Sequence, residues 1–288
     1  MEIAVGSDSG SHRDATDAHL AEVLASGITV LGVADGFGEP SRDALNASHA
    51  LCAVRDHLRR CRRSGVLTGN AQAPIMLRTF LLNALEHANE RIYEAGGSTE
   101  DYVAGGVSLT VALLVGHQAF IGHVGDARAY VMRLGRLEAL TVDDAVFASS
   151  ISPSKSNAPF VSQLRGVLWR SLGTQSRLEA SIVQMEFLPG DQLVLCTDGM
   201  HRAVFSDEIE RMLIEGDTAA DVATRMLSLA KVRGFIESAT VLIGRDLLTE
   251  DVPITDPLGG GALWARIGVV LGIFGAFVAA VWLAIHWP

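Results

Sequence analysis

The chain has 288 residues, enough for one large domain or two small ones, and either can bury a full core. Hydrophobic residues make up 49% and charged residues 19%, which excludes an intrinsically disordered chain. With 23 Lys and Arg against 33 Asp and Glu the formal net charge is -10, so the chain-wide electrostatic case for nucleic-acid binding is absent, and bound cations become one explanation of the acidity. Cys52, Cys61 and Cys196 are too few and too irregularly placed for a disulfide framework or a four-thiolate zinc site, which suits a reducing compartment.

Met1 to Arg13 carry Glu2 and Asp8 and no apolar run long enough for the core of a signal peptide, so export by that route is not expected. Apolar runs bounded by turn residues then predict strands at 3–7, 18–24, 28–34, 108–116, 118–123, 127–133, 182–187, 192–196 and 239–244. Gly116 and Gly135 stand in short connections between such runs, the pattern of antiparallel hairpins. Two stretches, 41–63 and 75–95, carry apolar residues at three- and four-residue spacing and end at Gly65 and Gly96-Gly97, which predicts two long helices. Strands, a helix pair and more strands predict an α+β fold with segregated layers.

The soluble domain is expected over 1–245. Residues 246–262 mix acids, two prolines and three consecutive glycines and read as a flexible linker, leaving 263–288 as an anchor. Ile267 to Ile285 holds 19 residues without a formal charge. As a helix it spans about 28 Å, close to the thickness of bilayer hydrocarbon. Trp264 on one side and Trp282 and Trp287 on the other suit the two interfaces, and Arg266 marks the near side as cytoplasmic. A buried core helix is the bland alternative. The expected location is therefore the cytoplasmic membrane, single-pass, with the domain facing the cytoplasm.

The acids carry the chemistry. Ile28 to Ala34 runs into Asp35-Gly36, Gln192 to Thr197 runs into Asp198-Gly199, and Ala119 to Val124 runs into Gly125-Asp126. Any one Asp-Gly after a strand is usually a turn. Three of them, two followed by helical sequence, suggest instead that carboxylates from separate strands meet at one sheet edge. Their repulsion and desolvation would then call for a cation, and hard oxygen ligands suit Mg²⁺ or Mn²⁺.

Ser7-Asp8-Ser9-Gly10 leading to Arg13, Val33 to Gly38, Gly105 to Thr110, Val124 to Tyr130 with Leu140 to Asp143, Leu168 to Gly173, and Gly190-Asp191 to Cys196-Thr197-Asp198-Gly199 resemble, in order, the motifs of the PP2C-type (PPM) metal-dependent serine/threonine phosphatases. The resemblance runs from about Ser7 to Arg245. It implies a four-layer α-β-β-α sandwich of two antiparallel sheets flanked by helices, here followed by one C-terminal transmembrane helix. It also implies hydrolysis of phosphoserine or phosphothreonine in proteins by a metal-activated water, without a phosphoenzyme, and a cognate Ser/Thr kinase as counterpart. Two Mn²⁺ or Mg²⁺ ions are implied, with room for a third. By the same resemblance Asp35 bridges the two ions, the Gly36 carbonyl contributes, Asp198 holds the first ion, Asp17 stands near the second, and Arg13 takes the substrate phosphate, for which a guanidinium fork is suited. Asp126 stands where some bacterial members hold a third ion; it reads equally well as a strand-end turn paired with Arg128.

The sequence departs from the family pattern in three places. The Arg13 to Asp17 separation is one residue shorter, Glu39 stands where a second glycine is common, and Glu237-Ser238 replaces the usual Asp-Asn before the last strand. Glu237 remains able to ligate an ion, with reduced activity or a preference for Mn²⁺ as the expectation, since Mg²⁺ is strict about octahedral geometry. A non-catalytic or weakly active phosphopeptide-binding scaffold is the alternative. The cysteines lack a Cys-x5-Arg loop and read as buried small hydrophobes, and His201 reads as a capping or surface residue. Arg55, Arg59, Arg60, Arg62 and Arg63 with His57 form the one basic cluster, which interacts with a helix C-terminus or with anionic headgroups or phosphorylated substrate. Residues 147–159 read as a polar loop beside the site.

Overall fold

The computed structural model describes residues 1–10, 16–25, 27–38, 40–69, 72–95, 105–145, 167–234 and 237–246. All of them lie in the unit Met1–Leu247, after which the chain divides. Among the described residues no helix is long and apolar enough to cross a membrane. Of the expected linker at 246–262 only Asp246 is described; its remainder, the membrane segment at 267–285, the loop at 147–159, Glu39 and Arg13 lie outside the described residues.

The strands are β1 (Glu2–Asp8), β2 (Asp17–Ala25), β3 (Ile28–Gly38), β4 (Gly105–Val115), β5 (Gln118–Val124), β6 (Arg128–Arg133), β7 (Arg136–Ala139), β8 (Ser181–Glu186), β9 (Gln192–Cys196) and β10 (Ala239–Arg245). The helices are α1 (Pro40–Arg63), α2 (Pro74–Ala95), α3 (Asp198–Ala203), α4 (Ser206–Glu215) and α5 (Ala219–Val232). Two antiparallel sheets result, ordered β1-β10-β9-β6-β7 and β2-β3-β4-β5-β8. The β4–β5 and β6–β7 hairpins are both present. In the second, Leu134 and Gly135 adopt φ of 50° and 79°, the pair of positive values a type I′ turn needs to match strand twist.

Side-chain alternation builds three cores and hence four layers. Along β3, Ile28, Val30 and Ala34 face α1 and α2, where Ala47, Ala50, Leu51, Val54 and Leu58 supply a stripe at helical spacing. The intervening Leu31 and Val33 point the other way, into an inter-sheet core with Ala112, Ile121, Leu193, Leu195 and Leu242. Val194, Cys196, Val241 and Ile243 line the far face of the other sheet and pack on Met200, Ile209, Leu213 and Met226 of α3 to α5. The central strands are therefore buried on both faces, which is why they read as continuous apolar runs although the sheets are antiparallel.

One strand boundary differs from expectation in a way that matters. β3 does not end before Asp35 but continues to Gly38, so Asp35 lies within a ladder, opposite Asp17 on β2 and Ser108 on β4. Glycine permits this. A Cβ on Gly36 would overlap the backbone carbonyl of Asp43, so only a residue without a side chain lets α1 close over the strand.

Candidate functional site

Asp17 and Asp35 are direct cross-strand partners, which puts two carboxylates side by side at the end of the β2–β3 ladder. Thr197 and Asp198 come from the opposite sheet, where β9 runs into α3. Thr197 has the extended φ, ψ of an N-cap (-78°, 167°), yet its side chain caps nothing. Its hydroxyl instead donates to Asp17 Oδ2 at 2.7 Å and accepts the Thr240 amide at 2.9 Å. Ser238, on the approach to β10, accepts the Thr16 amide at 3.0 Å. The two sheets are thus laced together at the point where their acids meet.

Burial and crowding move these acids. Burial pushes Asp17 up to about 6, with the Asp198 charge adding to it and the Thr197 hydroxyl opposing it. Asp35 is raised well above its ordinary value, first by burial and then by the charges of Asp198 and Asp17. Burial followed by Asp198 raises Asp126 to about 7 against the pull of Arg202. One oxygen of each paired acid, Asp17 Oδ1 and Asp35 Oδ1, is buried without a hydrogen-bond partner. Unpaired buried carboxylate oxygens are unfavourable. Hard divalent cations satisfy this donor set, and the residues fit such ions. Among the described residues no three His, Cys, Asp or Glu side chains are already gathered as one metal cage. Arg202 stands among three of the expected ligands, bonding Asp198 at 2.9 Å and Asp126 and Glu237 at 3.4 Å.

The structure brings Asp17, Asp35, Gly36 and Asp198 together, with Asp126 and Glu237 joined to Asp198 through Arg202. Arg128, the expected partner of Asp126, is engaged elsewhere: it grips Asp143 through Nε and Nη2 at 2.8 and 2.7 Å. Asp126 is placed by Gly125, whose φ of 102° turns the chain, and by Ser108, whose hydroxyl accepts the Asp126 and Ala127 amides at 2.9 and 2.8 Å. The Leu168 to Gly173 segment docks through the Val107–Leu172 and Ala145–Leu168 bridges, and Arg170 within it pairs with buried Asp144.

His201 is not at the surface. It is 8% exposed, its Nε2 bonds the Asp126 carbonyl at 2.9 Å, and burial with the nearby Arg128 charge lowers it to about 4. The ring is neutral and its one N–H is engaged by the Asp126 carbonyl, so at neutral pH no imidazolium proton is at hand for a leaving group. Burial pushes the Cys196 thiol up to about 12, so it supplies no thiolate nucleophile. Within the basic cluster Arg59 is bonded to Glu22 at 2.7 Å and Arg55 to its neighbour Asp56. Sequence reasoning missed Arg202, Thr197 and Ser238. The i, i+4 spacing of Asp198 and Arg202 in helical sequence was the one available signal.

The fold with buried acids where its two antiparallel sheets meet defines a class, and the family comparison agrees with it. The model for protein phosphatase 2C matches residues 8–238, and the chain belongs to that family. It is 27% identical over 268 residues to the serine/threonine protein phosphatase PstP of Mycobacterium tuberculosis, covering 91% of this chain but 48% of that protein. The chain therefore spans about half the length of that relative. A putative protein phosphatase 2C-type protein of Streptococcus pyogenes is 26% identical over 246 residues, covering 84% of this chain and 96% of its own. Among solved structures, the Mycobacterium tuberculosis phosphatase PstP/Ppp aligns with a TM-score of 0.70 at 24% identity, over 85% of this chain and 98% of that one. The PstP catalytic domain solved in complex with 2 manganese ions aligns at 0.67 and 23% identity, over 84% and 96%. Both show the shared fold.

Proposed function

We propose that the chain is a divalent-metal-dependent phosphatase acting on phosphoserine and phosphothreonine of proteins, using two Mn²⁺ or Mg²⁺ ions. The observation that carries the reading is the pair of buried, unpartnered oxygens on Asp17 and Asp35. The phosphatase names of its relatives and the manganese bound by one of them support it. Asp35, Asp17 and Asp198 are the residues that would hold the ions, with Gly36 through its carbonyl and Glu237 at the rim. Bound there, such ions supply a more acidic water and polarise phosphoryl oxygens. The protein's own contribution is positioning. Thr197 fixes the Asp17 carboxylate, Ser238 fixes the Thr16 backbone, and the β2–β3–β4 ladder holds Asp35 rigid. Arg13 is proposed to take the substrate phosphate. Because the substrate carries a phosphate on serine or threonine, a protein kinase must supply it.

A second reading, a weakly active phosphopeptide binder, draws support from Arg202, which lies on the carboxylates an ion would use. Turnover separates the two. Full-length protein with Mn²⁺ is expected to release phosphate from p-nitrophenyl phosphate and from a phosphothreonine peptide, and Asp35→Asn to abolish it. Peptide binding without release under any divalent ion would establish the binder instead.

We further propose that 267–285 anchors the chain in the cytoplasmic membrane with the phosphatase unit on the cytoplasmic side, a reading supported by its 19 uncharged residues. Full-length protein should remain in the membrane pellet through carbonate extraction, whereas 1–245 should not. Release of the full chain by carbonate would end this reading.

A further inference from the structure

Arg202 lies one helical turn beyond Asp198 on α3, and its guanidinium reaches carboxylates from three separate parts of the chain. Nη1 is 2.9 Å from Asp198 Oδ2 and 3.4 Å from Glu237 Oε2, while Nη2 is 3.4 Å from Asp126 Oδ2. The side chains of Asp126 and Asp198 are only 8% and 13% exposed, whereas Glu237 is 49% exposed and closes the cluster from the solvent side. Two nearly buried anions this close to one another would be strongly unfavourable without a positive charge between them. The guanidinium is suited to that place: it is permanently charged, planar, and presents donors in several directions at once. The acid pocket is therefore divided. Asp126 and Asp198 have a cation built into the chain, while Asp17 and Asp35 each keep a buried oxygen without a hydrogen-bond partner among the described residues.

We propose that Arg202 is a resident cation of the pocket, taking the place that a further divalent ion would have beside Asp126, so that inorganic ions are confined to the carboxylates of Asp17, Asp35 and Asp198. This rests on the metal-dependent reading above and goes beyond it, because it assigns Asp126 no ion of its own while Asp198 keeps the one it holds with Asp35. Replacing Arg202 by an uncharged residue strips the two buried carboxylates of their counter-charge, and a hard cation then becomes their best available partner. Asp126 in this view is an anchor for Arg202 and contributes to ion binding only when Arg202 is gone.

The test counts ions. Full-length wild type, Arg202→Met, Asp126→Asn and the combination of Arg202→Met with Asp126→Asn are titrated with Mn²⁺ by calorimetry, with free Mn²⁺ followed by electron paramagnetic resonance. Arg202→Met is expected to bind one more Mn²⁺ per chain than the wild type, the combined variant to lose that extra ion, and Asp126→Asn alone to keep the wild-type count. An unchanged count in Arg202→Met, or the loss of an ion in Asp126→Asn alone, overturns the inference. Should Arg202→Met fail to fold, the Asp126→Asn count decides by itself. A wild type that takes up no Mn²⁺ overturns the metal-dependent reading, and the resident-cation inference then stands or falls on whether Arg202→Met gains an ion.

Discussion

The Thr197 hydroxyl donates to the Asp17 carboxylate at 2.7 Å across 180 residues of chain, joining the start of α3 in one half of the sandwich to the edge strand β2 in the other. A residue in cap position has been diverted from helix to pocket. The same oxygen receives the Thr240 amide, so one hydroxyl links α3, β2 and β10.

Thr197→Val keeps the shape and removes that hydroxyl, stranding one carboxylate oxygen and one buried amide. The expected loss is about 2–3 kcal/mol. Urea unfolding should show a lower midpoint with an unchanged slope. Thr197→Ser should recover most of the loss, and an unaltered midpoint in Thr197→Val would show that the bond contributes nothing.

The acids of the pocket impose a pH dependence on the metal-free protein. Asp126 titrates near 7 when folded against an ordinary value of 3.8, so the folded chain holds a proton that the unfolded chain has released. Its contribution to stability is fully present below 3.8 and is lost as pH rises through about 7. His201, lowered to about 4 from 6.5, works in the other sense: its contribution is present above 6.5 and is lost as pH falls through about 4. Comparison with Asp126→Asn cancels the histidine. In EDTA, the melting temperature of the wild type relative to that variant should fall between pH 5 and pH 7.5, on the order of 5 °C. A difference that is flat or grows with pH would contradict the assignment.

Asp35→Asn removes the acid that burial and the charges of Asp198 and Asp17 raise well above its ordinary value. In EDTA at pH 8 this variant should melt above the wild type by roughly 3 °C or more. The stabilisation that Mn²⁺ gives the wild type should shrink or vanish in it. Thermal scans with and without Mn²⁺ check both halves, and a variant that melts lower in EDTA would show that repulsion at this position is already relieved.

Arg170 is the counter-charge of Asp144, which is 3% exposed and also accepts the Gly125 amide. Arg170→Met leaves that carboxylate uncompensated, at an expected cost of about 3–5 kcal/mol. Denaturant melts should register this directly, and Arg170→Met with Asp144→Asn should be more stable than Arg170→Met alone. If the double variant is no better, the pair is not the source of the loss.

Much of the sandwich was legible because its central strands alternate between two apolar cores. β9 was read with its observed ends, and β3, β5 and β10 were located with the correct starting residues. The helices after Asp198 were visible only as helical sequence, because α3 is six residues long and too short for periodicity to bound it. Asp35 and Asp198 could be named since acids ending apolar runs are chemically conspicuous, and Asp17, at the start of β2, only through the family resemblance. Their actual juxtaposition depended on β3 continuing past Asp35, which requires Gly36 to pass beneath Asp43, a tertiary fit that no local pattern encodes. Thr197 and Ser238 resembled ordinary turn residues, and Arg202 an ordinary helix-surface residue, because their partners lie far away in the chain.

The position of β10 between β1 and β9 sets the order in which the molecule can be completed during synthesis. Among the described residues β1 has β10 as its hydrogen-bonding neighbour, and β10 is made some 230 residues later, by the pairing of Asp8 with Ala239. Until then the inter-sheet seam stays open and the hydroxyl of Thr197 has no Thr240 amide to receive. A chain cut short before β10 therefore lacks the strand that joins β1 to β9 and the amide that Thr197 receives, however well its other sheet has formed.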